Sequence, residues 1–160
     1  MHLTQKERML LEDQKKHEEM CIKKYGEAAA RASDPGLKQL FTTYQQQEQQ
    51  HLQTIEQILN GQIPQMKQGS QGGSQSGQQN QQQQQNTSQG MAQQPNQEDA
   101  YLCQDLLSTE KYISGTYDTA IFEFTNPQIR QVLNHIQKEE QQHGEGIFTY
   151  MHQHGMYQPQ

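Results

Sequence analysis

An internal repeat constrains this chain more than any other feature. Asp34-Pro35-Gly36-Leu37-Lys38-Gln39-Leu40 returns as Asn126-Pro127-Gln128-Ile129-Arg130-Gln131-Val132, an offset of 92 residues, and the offset holds outward. Glu48-Gln49-Gln50-His51 falls on Glu140-Gln141-Gln142-His143, Glu18 on Glu110, Tyr25 on Tyr117, Ala28 on Ala120 and Ile55 on Ile147. With 35 Gln in 160 residues, shared Gln could arise from composition bias. Glu, His, Pro and Tyr kept at one fixed offset are harder to explain that way. The repeated unit spans roughly residues 4–60 and returns at 96–152.

Each unit reads as two helices. Asp34-Pro35 and Asn126-Pro127 pair a capping residue with proline at the first helical position, a favoured start that also ends the preceding helix. The first helix carries the stripe Leu11, Gln14, Glu18, Cys21, Tyr25, Ala28, Ala32. The second carries Leu37, Phe41, Tyr44, Glu48, His51, Ile55, Ile58. Cys103, Leu106, Glu110, Ile113, Tyr117, Ala120, Phe124 mark the third helix, and Ile129, Val132, Ile136, Glu140, His143, Ile147, Tyr150 the fourth. Steps of three and four give one buried face per helix, and no strand alternation competes. The pattern predicts an all-α four-helix bundle made of two repeated helical hairpins.

The boundaries that follow are a half-bundle at 1–60, a linker at 61–97 and a second half-bundle at 98–160. The linker holds sixteen Gln, with Ile63, Met66, Met91 and Ala92 as its apolar residues, too little apolar surface to order. A helix of about 25 residues is roughly 38 Å long. A flexible chain of about 36 residues spans roughly 30–36 Å. A long crossover along the bundle is therefore within reach, and protease should cut within 62–96 while the hairpins stay associated.

Composition removes several classes. Twelve Lys and Arg face 18 Asp and Glu without a basic block, which argues against nucleic acid as a partner. No apolar run approaches ~20 residues, which argues against membrane insertion. The N-terminus shows no secretory signal, and two cysteines are too few for a disulfide framework.

The candidate site lies where the stripes stop being apolar. Glu18, Glu48, His51, Glu110, Glu140 and His143 occupy seam positions, and an unpaired buried carboxylate costs several kcal/mol, roughly, or stays protonated. Two divalent cations would supply the missing positive charge. Residues at i and i+3 share a helix face, so each Glu-x-x-His can reach one metal. One Glu from each of two helices plus Glu-x-x-His from each of the other two is the ligand set of the di-iron and di-manganese carboxylate bundles. The reading assigns one metal to Glu48 and His51 and one to Glu140 and His143, with Glu18 and Glu110 as terminal or bridging ligands. Iron or manganese suits this set equally. Two blander readings stand beside it: a hydrated seam edge paired with Lys or Gln, and a duplicated bundle that has lost its metal.

Tyr25 and Tyr117 lie two turns beyond the seam Glu, as groups behind the ligands or as plain core packing. Tyr44 lies one turn before Glu48, but its counterpart is Ile136. Gly144 and Gly146 stand where the first unit has Leu52 and Thr54, leaving either an opening for a small oxidant or a packing requirement. Cys21 and Cys103 read as buried free thiols, and His2, His17, His135, His152 and His154 as solvated.

The four-Glu, two-His pattern resembles the ferritin-like superfamily, including rubrerythrins and manganese catalases. The stretches Leu106-Leu107-Ser108-Thr109-Glu110-Lys111, Thr125-Asn126-Pro127-Gln128-Ile129-Arg130 and Tyr150-Met151-His152-Gln153-His154-Gly155-Met156-Tyr157 resemble the Coat F family of spore coat proteins in endospore-forming Firmicutes, over about residues 98–159. That resemblance implies a bundle made in the mother-cell cytoplasm and deposited in the spore coat, with other coat proteins as partners and a homo-oligomer left open. It implies no particular activity. Three functions remain: a coat protein with a dinuclear Fe or Mn site, a di-iron or di-manganese oxidoreductase that consumes peroxide or oxidises ferrous iron, and a metal-free assembly module. The Gln-rich linker reads either as a tether or as an acyl donor for coat cross-links.

Overall fold

The computed structural model describes residues 2–65 and 94–157. Four helices follow in chain order: α1 Gln5–Arg31, α2 Pro35–Leu59, α3 Gln97–Glu123 and α4 Pro127–Gln153. Every start is capped by a side chain. Thr4 and Glu7 form a reciprocal capping box on α1, Thr4 Oγ1 accepting from Glu7 N at 3.1 Å and Glu7 accepting from Thr4 N at 2.8 Å. Asp34, Asn96 and Asn126 cap the others, with Pro35 and Pro127 at the first helical positions. Past Leu59 and Asn60, Gly61 takes a φ of 83° and donates to the Ile58 carbonyl, a left-handed stop that glycine adopts without a Cβ penalty.

Contacts between the hairpins set the topology. Lys6 pairs with Glu123 at 2.6 Å at one end and Arg31 with Glu98 at the other, so α1 and α3 are antiparallel. Each hairpin is antiparallel within itself, so α2 and α3 run the same way. Their connection must travel the length of the bundle, which is the ferritin-like crossover. The crossover itself falls mainly on 66–93, so the expectations of an unfolded, protease-sensitive or cross-linked tract lie outside the described residues.

The 92-residue offset is also a structural near-two-fold. Lys6 corresponds to Glu98 and Arg31 to Glu123, so the two end bridges are one contact with its charges exchanged. Gln45 donates to the Ile22 carbonyl at 3.1 Å, and its counterpart Gln137 to that of Ser114 at 2.8 Å. Glu7 accepts from the backbone and hydroxyl of Thr125 at 2.8 and 2.9 Å. Its counterpart Asp99 accepts from the backbones of Ser33 and Asp34 at 2.8 and 3.1 Å. Each first turn thus clasps the interhelical turn of the opposite hairpin.

The apolar core is split in two. One cluster includes Leu11, Ile55, Ile113, Phe124, Leu133 and Ile136, the other Ala28, Leu37, Phe41, Leu102, Leu106 and Ile147. Between them lies a polar layer. The stripes read from the sequence are the buried faces, except that Tyr44 and Tyr150 are only half-buried. His17, expected to be solvated, is half-buried against the edge of Tyr112 at 5.6 Å, and burial lowers its pKa.

Candidate metal centre

The polar layer is the six seam residues. Glu18, Glu48 and Glu140 are 0 % exposed, Glu110 2 %, His51 3 % and His143 1 %. These values exclude the hydrated seam edge. Because α2 and α4 face each other antiparallel, the Glu of one Glu-x-x-His lies beside the His of the other. His51 Nδ1 lies 2.9 Å from Glu140 Oε1, 3.1 Å from Glu48 Oε2 and 3.7 Å from Glu18 Oε2. His143 Nδ1 lies 3.2 Å from Glu48 Oε1, 3.4 Å from Glu110 Oε1 and 3.5 Å from Glu140 Oε2. Glu48 and Glu140 each turn one oxygen to each imidazole.

Two overlapping four-residue groups result: Glu18, Glu48, His51, Glu140 and Glu48, Glu110, Glu140, His143, with donor atoms of each group within 4.8 Å of one another. Glu48 and Glu140 are common to both, while Glu18 and Glu110 belong to one each. Each group contains one Glu-x-x-His pair and adds the Glu of the other, a sharing that comes from the facing of α2 against α4 and that one helix's pattern cannot carry.

The surrounding groups were less visible in the sequence. Tyr117 donates to Glu18 and Tyr25 to Glu110, each tyrosine reaching the carboxylate of the opposite hairpin. His51 Nε2 meets Glu139 Oε2 at 2.7 Å, and His143 Nε2 meets Gln47 Oε1 at 2.6 Å. Glu139 and Gln47 are counterparts at the offset, but one is a carboxylate and the other an amide. Both precede a seam Glu by one residue, the only sequence signal that could have found them. Tyr44 stacks on His143 with ring centroids 4.3 Å apart, and a Cβ on Gly146 would collide with its hydroxyl. Gly146 therefore has a packing reason.

Burial and mutual repulsion govern the electrostatics of this layer. Burial raises the Glu18 carboxyl well above the usual range, with Glu140 and Glu48 adding and His51 opposing. Burial pushes Glu110 up to about 7. Glu48 and Glu140 are also penalised by burial, but the two imidazoles beside them bring them below the ordinary value. Burial opposes the charge on His143, yet the carboxylates of Glu110, Glu140 and Glu48 hold it at about 11, and His51 is likewise raised. Protons thus stand in for the missing positive charge. Even so, Glu18 Oε2, Glu110 Oε2 and both oxygens of Glu140 receive no hydrogen bond. Buried acceptors without donors are rare, and these converge on one spot. Carboxylate and imidazole donors of this kind fit a hard or borderline divalent ion.

Cys21 and Cys103 are free and fully buried, and burial raises both thiols, Cys103 to about 12. Neither belongs to the two groups of potential ligands. His135, His152 and His154 are exposed.

Fold and site together define an all-α bundle of two like hairpins with a buried carboxylate–histidine layer. Within that class, residues 98–160, which take in nearly all of α3 and the whole of α4, match the family model of the Coat F domain. No curated protein and no solved structure matches the chain.

Proposed function

We propose that the protein is a spore coat protein whose bundle holds two iron or manganese ions. The Coat F domain over residues 98–160 supports the coat role, and with it synthesis in the mother-cell cytoplasm, residence in the coat and other coat proteins as partners. Tyr101, Tyr112 and Phe122 expose aromatic surface on α3 that suits such contacts. No described helix is long and apolar enough to cross a membrane.

The observation that carries the metal reading is the convergence of four buried carboxylates, four of whose oxygens lack donors, on two imidazole Nδ1 atoms. Glu48 and Glu140 would be common to both ions, with Glu18 and His51 completing one ligand set and Glu110 and His143 the other. Bound Fe or Mn would supply Lewis acidity and one-electron chemistry. The chain's own part is positional. Tyr117 and Tyr25 hold the terminal carboxylates, and Glu139 and Gln47 hold the imidazoles with Nδ1 inward. Oxidoreductase action on peroxide or ferrous iron is the second reading, favoured by a surface cleft that reaches Glu110 and Glu140.

Elemental analysis of the full chain from iron- and manganese-supplemented cultures tests the proposal. About two ions per chain are expected, as in other bundles with this ligand set. Glu140→Ala combined with His143→Ala should remove at least half of the metal, and full loading of that variant would refute the ligand assignment. A metal-free protein under both conditions, and after anaerobic reconstitution, would favour the assembly module.

A further inference from the structure

The near-two-fold makes departures from symmetry informative, and one of them sets a cleft against the site on one side. Between α3 and α4 lies a cleft of about 340 Å³, and Glu110 and Glu140 are among its lining residues. Gly144, Ser114 and Lys111 also line it. At the offset, Leu52 and Ile22 stand where this hairpin has Gly144 and Ser114. Lys15 pairs with Glu56 across α1 and α2 at 2.9 Å, where the second hairpin has Leu107 and Phe148. The first hairpin therefore has two bulky side chains where the second has Gly144 and Ser114, and an ion pair where the second has two apolar side chains.

Gly144 has no local reason to be glycine. Its backbone is helical, and glycine there costs about 1 kcal/mol against alanine. An added Cβ would meet Leu107 Cδ1 at 3.6 Å and Glu110 Cβ at 4.0 Å, ordinary contacts, in contrast to the collision at Gly146. Leu107 and Glu110, which such a Cβ would touch, both line the cleft.

We infer that this cleft admits a small neutral or anionic ligand of two or three heavy atoms to the ion held by Glu110, Glu140, Glu48 and His143, and that Leu52 closes the matching approach to the other ion. Lys111 at the cleft gives an anion a favourable approach in a chain of net charge −6. The inference rests on the dinuclear reading and adds that the two ions differ in access.

Azide is a suitable probe. Wild type, Gly144→Ala, Gly144→Leu and Leu52→Gly are loaded with cobalt(II), metal content is measured, and azide binding is followed by stopped-flow absorbance. One azide per chain is expected for wild type. At equal metal content, Gly144→Leu should slow association by about tenfold or more, as steric closure of an approach does, with Gly144→Ala between it and wild type. Leu52→Gly should bind a second azide. Unchanged azide kinetics in fully loaded Gly144→Leu, or in Gly144→Ala should the leucine variant not fold, overturns the inference and leaves the dinuclear reading standing. Failure of wild type to load metal overturns both.

Discussion

Among single residues, the partners of the two imidazoles carry the sharpest consequence. His51 leans on the Glu139 carboxylate and His143 on the Gln47 amide. Groups of this kind fix the imidazole and raise its basicity, and their loss typically costs about 10–100-fold in metal affinity. If two ions bind as proposed, Glu139→Ala should therefore weaken the one held by His51 by that factor and leave the other unchanged, read as a split in a calorimetric titration. The site's protons predict a second behaviour. Glu18, Glu110, His51 and His143 all have raised pKa values, so the metal-free fold binds more protons than the unfolded chain between about pH 4.5 and the His143 value of about 11. Stability of the metal-free protein should fall as pH rises from 5 to 9. Metal should reverse this trend, because loading expels those protons and tightens with rising pH. Thermal unfolding across that range, with and without manganese, checks both signs. The six seam residues were legible because each broke an apolar stripe. Glu139 and Gln47 were not, because they sit on the seam's wet flank, where polar residues need no explanation.

For the helices, starts and stops are local chemistry, and most were visible in the sequence. Asp34-Pro35 and Asn126-Pro127 cap and open α2 and α4 as their types require. The caps at Thr4 and Asn96 are equally local, but no proline follows them. What no helix reveals alone is its partner. Tyr25 and Tyr117 sit seven residues from Glu18 and Glu110 in their own helices, yet each donates to the carboxylate of the other hairpin because α1 and α3 are antiparallel. The clasps of Glu7 and Asp99 depend on the same pairing. Asp99→Ala would leave the Ser33 and Asp34 amides without their acceptor and should cost about 1–3 kcal/mol in urea unfolding. Glu7, in contrast to the metal-site acids, has a lowered pKa: burial works against its charge, but hydrogen bonds from Thr125 and Thr4 outweigh it. Its contribution is present above the ordinary carboxylate pKa and is lost as pH falls through the depressed one. Glu7→Gln should accordingly flatten the acid limb of the stability curve.

Across the whole molecule, the repeat in the sequence becomes a near-two-fold in space, and the carboxylate–histidine layer lies across it. Neither hairpin holds a complete site: each supplies one shared Glu, one outer Glu and one His. The crossover direction had been left open by the sequence, since a linker of that length is only compatible with it. The direction follows from packing, α1 on α3 and α2 on α4. The arrangement is that of two self-complementary units joined end to end, each donating half of one cluster. Joining two copies in one chain frees the halves from identity. Glu139 could part from Gln47, Gly144 from Leu52 and Tyr44 from Ile136 without any one change having to be tolerated twice. The isolated hairpin 94–157 should show that self-complementarity by pairing with itself, a dimer by sedimentation with Glu110, Glu140 and His143 each present twice.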